Sequence, residues 1–174
     1  KDGAVWVDLA PLSDESLVPQ TVASALGVTE QPGRPVREAL ASLLATKQLL
    51  LILDNCEHLI AACAQLADSL LRGCPALHFL ATSREPLALN GEGIYPVPAL
   101  TYPTTSLLAE IRSLETISPN VLENLKGYES ITLFLNRAAA IMPGFAMSPE
   151  NANSIAALCA SLDGMPLAIE LAAA

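Results

Sequence analysis

Five apolar residues, Leu49-Leu50-Leu51-Ile52-Leu53, run without alternation into Asp54-Asn55-Cys56-Glu57-His58. A short apolar run of this kind predicts a strand buried on both faces, and such strands belong to parallel sheets covered by helices. Asp54 then stands where the strand leaves the sheet. That carboxyl edge is where open α/β sheets bind their ligands. Asp and Asn also cap helices, so Asp54 and Asn55 have a second reading as the start of the helix that follows.

A second apolar strand is predicted at Ala4-Val5-Trp6-Val7-Asp8-Leu9, again with a carboxylate near its end. Ser13-Asp14-Glu15-Ser16 supplies a cap and first-turn acids for a helix whose apolar face is Leu17, Val18, Val22, Ala25 and Leu26, stopped by Gly27. Gln31-Pro32-Gly33-Arg34-Pro35 reads as a turn, with Pro35 suited to the first helical position. Val36, Leu40, Leu43 and Leu44 stripe the next helix.

Beyond Asp54 the period changes to spacings of three and four. Leu59, Ile60, Cys63, Leu66, Ala67, Leu70, Leu71 and Cys74 mark an amphipathic helix closed by Gly73 and Pro75. Leu77 to Thr82 is the next strand, and a crossover of this length makes it parallel to the first. If the two are neighbours, Arg84 projects on the same edge as Asp54; it also has a plain reading as a surface partner of Glu85 or Glu57.

The proline-rich stretch 86–103 allows one short edge strand at Gly93–Pro98. Residues 101–129 read as a linker, partly helical around Leu107, Leu108, Ile111 and Leu114, with a further start at Ser118-Pro119-Asn120. Two firmer helices follow. One carries Ile131, Phe134, Leu135, Ala138 and Met142; the other opens at Ser148-Pro149-Glu150 and carries Ile155, Leu158, Cys159 and Leu162. A third begins at Met165-Pro166. The pattern is α/β in residues 1–100 and all-helical in 130–174.

Composition changes this picture in three ways. Hydrophobic residues make up 52% and aromatics only 4%, so the core is aliphatic, as suits helices on a parallel sheet. The net charge of −9 argues against these 174 residues gripping nucleic acid directly. Cys56, Cys63, Cys74 and Cys159 form no CxxC pair and no zinc-ligand spacing, and three fall at apolar helical positions. They read as reduced core thiols of a cytoplasmic protein. No apolar stretch reaches the length of a membrane span.

Four blocks together resemble the STAND class of P-loop ATPases (relatives of NB-ARC proteins), and within it the ATPase region of bacterial multidomain transcriptional regulators of the AfsR/SARP and LuxR kinds. The blocks are Val5–Ala10, Leu50–Leu59, Ala81–Leu87 and Leu162–Leu171, in the family's order. The resemblance implies a P-loop NTPase core with a parallel sheet, followed by an all-helical subdomain. It implies that Asp54 is the Walker B aspartate holding Mg²⁺ through water. Asn55 stands where many relatives have an acid, which leaves Glu57 as the candidate for polarising the attacking water and makes hydrolysis slow. Arg84 is similar to the sensor arginine near the γ-phosphate. Pro166, in Gly164-Met165-Pro166-Leu167-Ala168, is similar to the proline that packs on adenine; the same residues also read as an ordinary helix cap followed by a first-position proline.

No Gly-x-x-x-x-Gly-Lys-Ser/Thr loop occurs in the chain. In the family that loop lies upstream of the Val5-Trp6-Val7 strand, so the segment is expected to start just past it. ATP or ADP with Mg²⁺ would then serve the full-length protein, with little binding by these residues alone. Open strand edges favour self-association. The other implied partners are domains of the same regulator: a DNA-binding domain and helical repeats. Two rival readings remain at this stage. One is an interaction scaffold that keeps the fold and uses no nucleotide. The other is an unrelated α/β enzyme built on Asp54, Glu57 and His58.

Overall fold

In the computed structural model, which describes residues 1–29 and 33–174, Leu50–Asp54 forms the middle strand of a three-stranded parallel sheet. This strand, β2, pairs with β1 (Ala4–Asp8) on one edge and β3 (His78–Ala81) on the other. The register sets Trp6 beside Ile52 and Ile52 beside Leu80, and it brings Asp8 level with Asp54. The α/β class is therefore as the apolar run predicts.

Burial of β2 on both faces is not what the structure shows. Leu51 and Leu53 are fully buried, whereas Leu50, Ile52 and Asp54 are only half-buried. Topology supplies the reason. Both crossovers step the same way along the sheet, and parallel crossovers are right-handed. The connecting helices α1 (Val18–Ala25), α2 (Val36–Leu44) and α3 (Ile60–Gly73) therefore gather on one face, packed against one another. They seal Val7, Leu51 and Leu53 beneath Val18, Val22, Leu40, Leu44, Leu66 and Leu70.

Local chemistry explains most helix boundaries. Asp14 accepts a hydrogen bond from the Ser16 amide (2.9 Å) and starts a 3-10 turn, Glu15–Leu17, which feeds α1. Gly27 ends that element with φ of 69°. Three details depart from the periodic reading. Leu17, Ala25, Leu43 and Leu71 face solvent rather than the core. Pro35 precedes α2 as its N-cap instead of occupying the first helical position. Cys56–His58 forms a separate 3-10 turn before α3. Of the expected turn at 31–35, Gln31 and Pro32 lie outside the described residues, and Gly33 is in a turn with φ of 81°.

The chain divides into two compact units, Lys1–Tyr95 and Pro96–Ala174. The expected edge strand at Gly93–Pro98 does not form; Ile94, Tyr95 and Val97 are solvent-exposed, and two prolines remove ladder donors.

The second unit is helical: α4 (Thr105–Ser113), α5 (Pro119–Lys126), α6 (Glu129–Ile141), α7 (Ala152–Ser161) and α8 (Pro166–Ala172). Residues 101–129, read from sequence as a partly helical linker, contribute Leu108, Ile111 and Leu125 to its core. They join Ile131, Phe134, Ile155, Cys159 and Ile169 there, with Phe134 and Phe145 stacked edge to face at 6.2 Å. Helix α7 begins three residues later than Ser148-Pro149 suggests. The Asn151 side chain accepts from the Ser148 amide (2.8 Å) and holds the preceding residues in a turn.

One glycine is required on two grounds. Gly164 has φ of 67°, and a Cβ placed there would lie 2.1 Å from the Leu100 carbonyl oxygen. That close approach comes with a bond in the other direction, Leu100 N to Gly164 O at 3.0 Å. Gly164→Ala is expected to cost the second unit about 1–3 kcal/mol from backbone strain alone. Leu51→Ala should cost the first unit about 2–5 kcal/mol through the cavity it leaves. Urea unfolding of each variant against the parent chain measures both.

Candidate functional site at the carboxyl edge of the sheet

Asp54 is the last residue of β2, and the backbone reverses directly after it. Asn55 sits in the left-handed region (φ 66°, ψ 52°), which Asn tolerates better than other non-glycine residues. This turn fixes where Asp54 points, and β3 holds it there. The Thr82 hydroxyl donates to the Asp54 carboxylate and accepts from the Asn55 amide at 2.9 Å. The Cys56 amide donates to the Thr82 carbonyl (2.9 Å), and the Thr82 amide to the Leu53 carbonyl (3.0 Å). On the other side the Leu9 amide donates to the Asp54 carbonyl at 3.0 Å. Asp54 thus projects from a strand end bonded along both edges.

The charged groups beside it are few. Glu57 leaves the 3-10 turn and meets Arg84, which follows β3, with Nε to Oε1 at 3.3 Å. Arg84 is 87% exposed and Glu57 25%, so the pair is of the solvated kind worth about 0.2–1 kcal/mol. The guanidinium is free to exchange Glu57 for a stronger anion. Asp8 lies level with Asp54 on β1 and accepts from the Ala10 amide at 2.9 Å. Three carboxylates and one arginine therefore share this edge.

His58 bonds the Leu12 carbonyl through Nε2 at 2.7 Å, tying the turn after β2 to the loop after β1. Among the described residues, no group of three or more His, Cys, Asp or Glu side chains is arranged to hold a metal ion by itself.

Thr82 is the residue at this edge to which the sequence pattern assigned no role and which the structure bonds to Asp54. Its signal was its place at the tip of the next strand, but only the β2–β3 register shows that its hydroxyl meets Asp54.

Cys56 lies beneath the site, fully buried against Cys63. Contact with Cys63, then burial, then the charges of Glu57 and Asp54 push its thiol up, so it stays protonated. Burial likewise raises Cys74 and Cys159. All four cysteines are free and buried.

Pro166 is in the second unit. It is the first residue of α8 and lines an open groove of about 410 Å³, together with Leu100, Thr132, Leu133, Asn136 and Glu170. Glu170 is held by Arg137 across α6 and α8, with Nε at 3.0 Å.

Two relatives, one from Mycobacterium tuberculosis and one from Mycobacterium bovis, are named as candidate HTH-type transcriptional regulators. Each is 38% identical over 174 residues, all of this chain. A further M. tuberculosis protein of unassigned role is 38% identical over 167 residues, 96% of this chain and 36% of its own length. The chain is homologous along its whole length to a segment of proteins named as transcriptional regulators. It spans 17% of the length of those regulators. No protein-family profile matches it. Among the described residues no helix is long and apolar enough to cross a membrane.

Removing the Thr82 hydroxyl while keeping its shape, in Thr82→Val, leaves the Asn55 amide and one Asp54 oxygen without their partner. A loss of about 1–3 kcal/mol in urea-measured stability is expected. The native thiols should react with a disulfide reagent only upon unfolding, giving four fast equivalents in denaturant and essentially none in buffer.

Proposed function

We propose that this chain is a segment of a nucleotide-dependent signalling switch, of the STAND P-loop ATPase class, in a bacterial transcriptional regulator. The observation that carries the reading is the place of Asp54, bonded by the Thr82 hydroxyl, at the carboxyl edge of adjacent parallel strands, the edge that also carries the Glu57–Arg84 pair. Whole-length homology to a part of proteins named as transcriptional regulators supports the setting.

The donor set suits Mg²⁺ in the way such a switch uses it. Mg²⁺ keeps several waters and needs one or two carboxylates besides the nucleotide's own phosphates, so Asp54 suffices without a protein cage. When bound, the ion would neutralise charge on the phosphates. Asp54 would receive it through water, and Thr82 would keep that carboxylate from swinging away. Arg84 would leave Glu57 for a phosphate oxygen, a stronger and bidentate partner. Glu57, then released, is the candidate for orienting a water, and Asn55 lines the same turn. In the helical unit Pro166 offers an apolar surface beside Leu133 on which a base can pack. ATP and ADP would act by binding one arrangement of the whole protein better than another, so turnover is expected to be slow.

Because no phosphate-cradling glycine-rich loop occurs in the chain, ATP binding by these residues alone should be weak. The regulator's DNA-binding domain and helical repeats would be its intramolecular partners, and the open edges of β1 and β3 its route to self-association.

The scaffold reading draws on one observation: Glu57 and Arg84 already satisfy each other, as in a fold whose chemistry has lapsed. Calorimetry with Mg²⁺-ATP separates the two. The 174-residue chain should bind with Kd above about 1 mM. A version lengthened by about 60 residues toward the amino terminus, enough for a strand, a phosphate loop and a helix, should bind near the micromolar range. Asp54→Ala and Arg84→Ala should each weaken that binding at least roughly tenfold, a change of about 1.4 kcal/mol. Absence of binding by both versions would hand the case to the scaffold.

A further inference from the structure

The helical unit carries a second groove, which shares no residue with the one beside Pro166. It measures about 350 Å³ and lies where the end of α4 and the loop after it meet the turn that leads into α7. Ile111, Leu114 and Ile117 give it an apolar wall, while Arg112, Glu115 and Asn153 give it charge and an amide. Leu114 caps α4 in an extended conformation (φ −77°, ψ 132°), so Glu115 leaves the helical path. On a continuing helix Arg112 and Glu115, three apart, would be neighbours and pair. Here neither has an ion-pair partner among the described residues. Asn153, the second residue of α7, adds an orphan. Its Oδ1 is buried and accepts no hydrogen bond. Buried acceptors without a donor are rare in native folds.

These groups select the class of ligand. A simple anion would meet Arg112 and be repelled by Glu115 and Glu150; a simple cation would meet the acids and be repelled by Arg112. A small molecule carrying both charges satisfies both poles. We propose that the groove binds a free α-amino acid with an aliphatic side chain. Its carboxylate takes the Arg112 guanidinium, a fork that matches a carboxylate with two bonds. Its ammonium donates to Glu115 and to the orphan Asn153 Oδ1. Glu150 is already engaged by the Ser148 hydroxyl and its own amide, which hold its carboxyl below the usual carboxylate range. The aliphatic side chain lies along Ile111 and Leu114. These two residues also line a narrower cleft of about 100 Å³ with Val121 and Leu125, so apolar space continues past the charged pair. The volume of the groove falls at the small end of ligand sites, which run about 300–1,000 Å³. Occupancy stabilises the packing of α4 on α7 by mass action, which gives the unit a response to amino-acid supply. Nucleotide binding does not enter this inference.

Three probes dissect the two poles in the 174-residue chain: L-leucine, leucinamide, which lacks the carboxylate, and 4-methylpentanoate, which lacks the ammonium. Binding is followed by amide NMR shifts, which also report whether each variant is folded. Leucine should bind with Kd of about 0.1–1 mM, shifting amides in 111–117 and 150–154. Leucinamide and 4-methylpentanoate should each bind at least roughly tenfold more weakly. Arg112→Ala should weaken leucine at least roughly tenfold and leave leucinamide unchanged. Glu115→Gln should weaken leucine to the same degree and leave 4-methylpentanoate unchanged. The inference is overturned by an absence of shifts up to about 10 mM leucine, by shifts centred elsewhere, or by equal affinity for the three probes, as mere adsorption to an apolar cleft would give. Variants that bind leucine as the parent chain does overturn it as well. Leucine and ATP titrations read different residues, so failure of one leaves the other standing.

Discussion

Everything in the first unit depends on β2 being hydrogen-bonded along both edges while its Leu51 and Leu53 side chains are sealed beneath three helices. Parallel pairing in this register is unforgiving. A slip of one residue would turn both leucines out of the core and Ile52 into it. The same pairing makes the strand end at Asp54 a fixed point. Its carbonyl, the Leu53 carbonyl and both backbone groups of Thr82 are used by neighbouring strand ends, so no freedom is left in the place where the carboxylate emerges.

The chemistry of the site follows from that rigidity and from the looseness around it. Asp54 is held by a hydroxyl one strand away, whereas Arg84 and Glu57 hold only each other, at the surface. Under the proposed switch, an incoming phosphate and cation would reorganise this anchored carboxylate and weakly paired arginine at little cost. Asp8, level with Asp54, adds negative charge that a bound cation would relieve.

In the helical unit the governing constraint is steric. Gly164 and Leu100 approach so closely that no side chain fits, and this contact sets the start of α8 and thereby the position of Pro166 over its groove. A glycine-x-proline sequence that reads as an ordinary cap is here the point at which two stretches of backbone, more than sixty residues apart, are joined.

The α/β class, the two strands around the crossover, α3 and the carboxyl-edge position of Asp54 were all legible in the hydrophobic pattern, because period and run length report local geometry directly. What the pattern left undecided needed neighbours. One-sided cover of the sheet follows from the sense of two crossovers, which no window of sequence encodes, and it is why Trp6 and Leu80 face water despite their apolar character. The role of Thr82 depends on register, and the pairing of Glu57 with Arg84 on which strands adjoin. The buried contributions of Leu108, Ile111 and Leu125 came from short helices whose signals are weak alone and which are stabilised by packing. Residue types and spacing decided which elements form and where a carboxylate leaves the sheet; the tertiary structure decided which side chains it meets there, because those partners lie far apart in the chain.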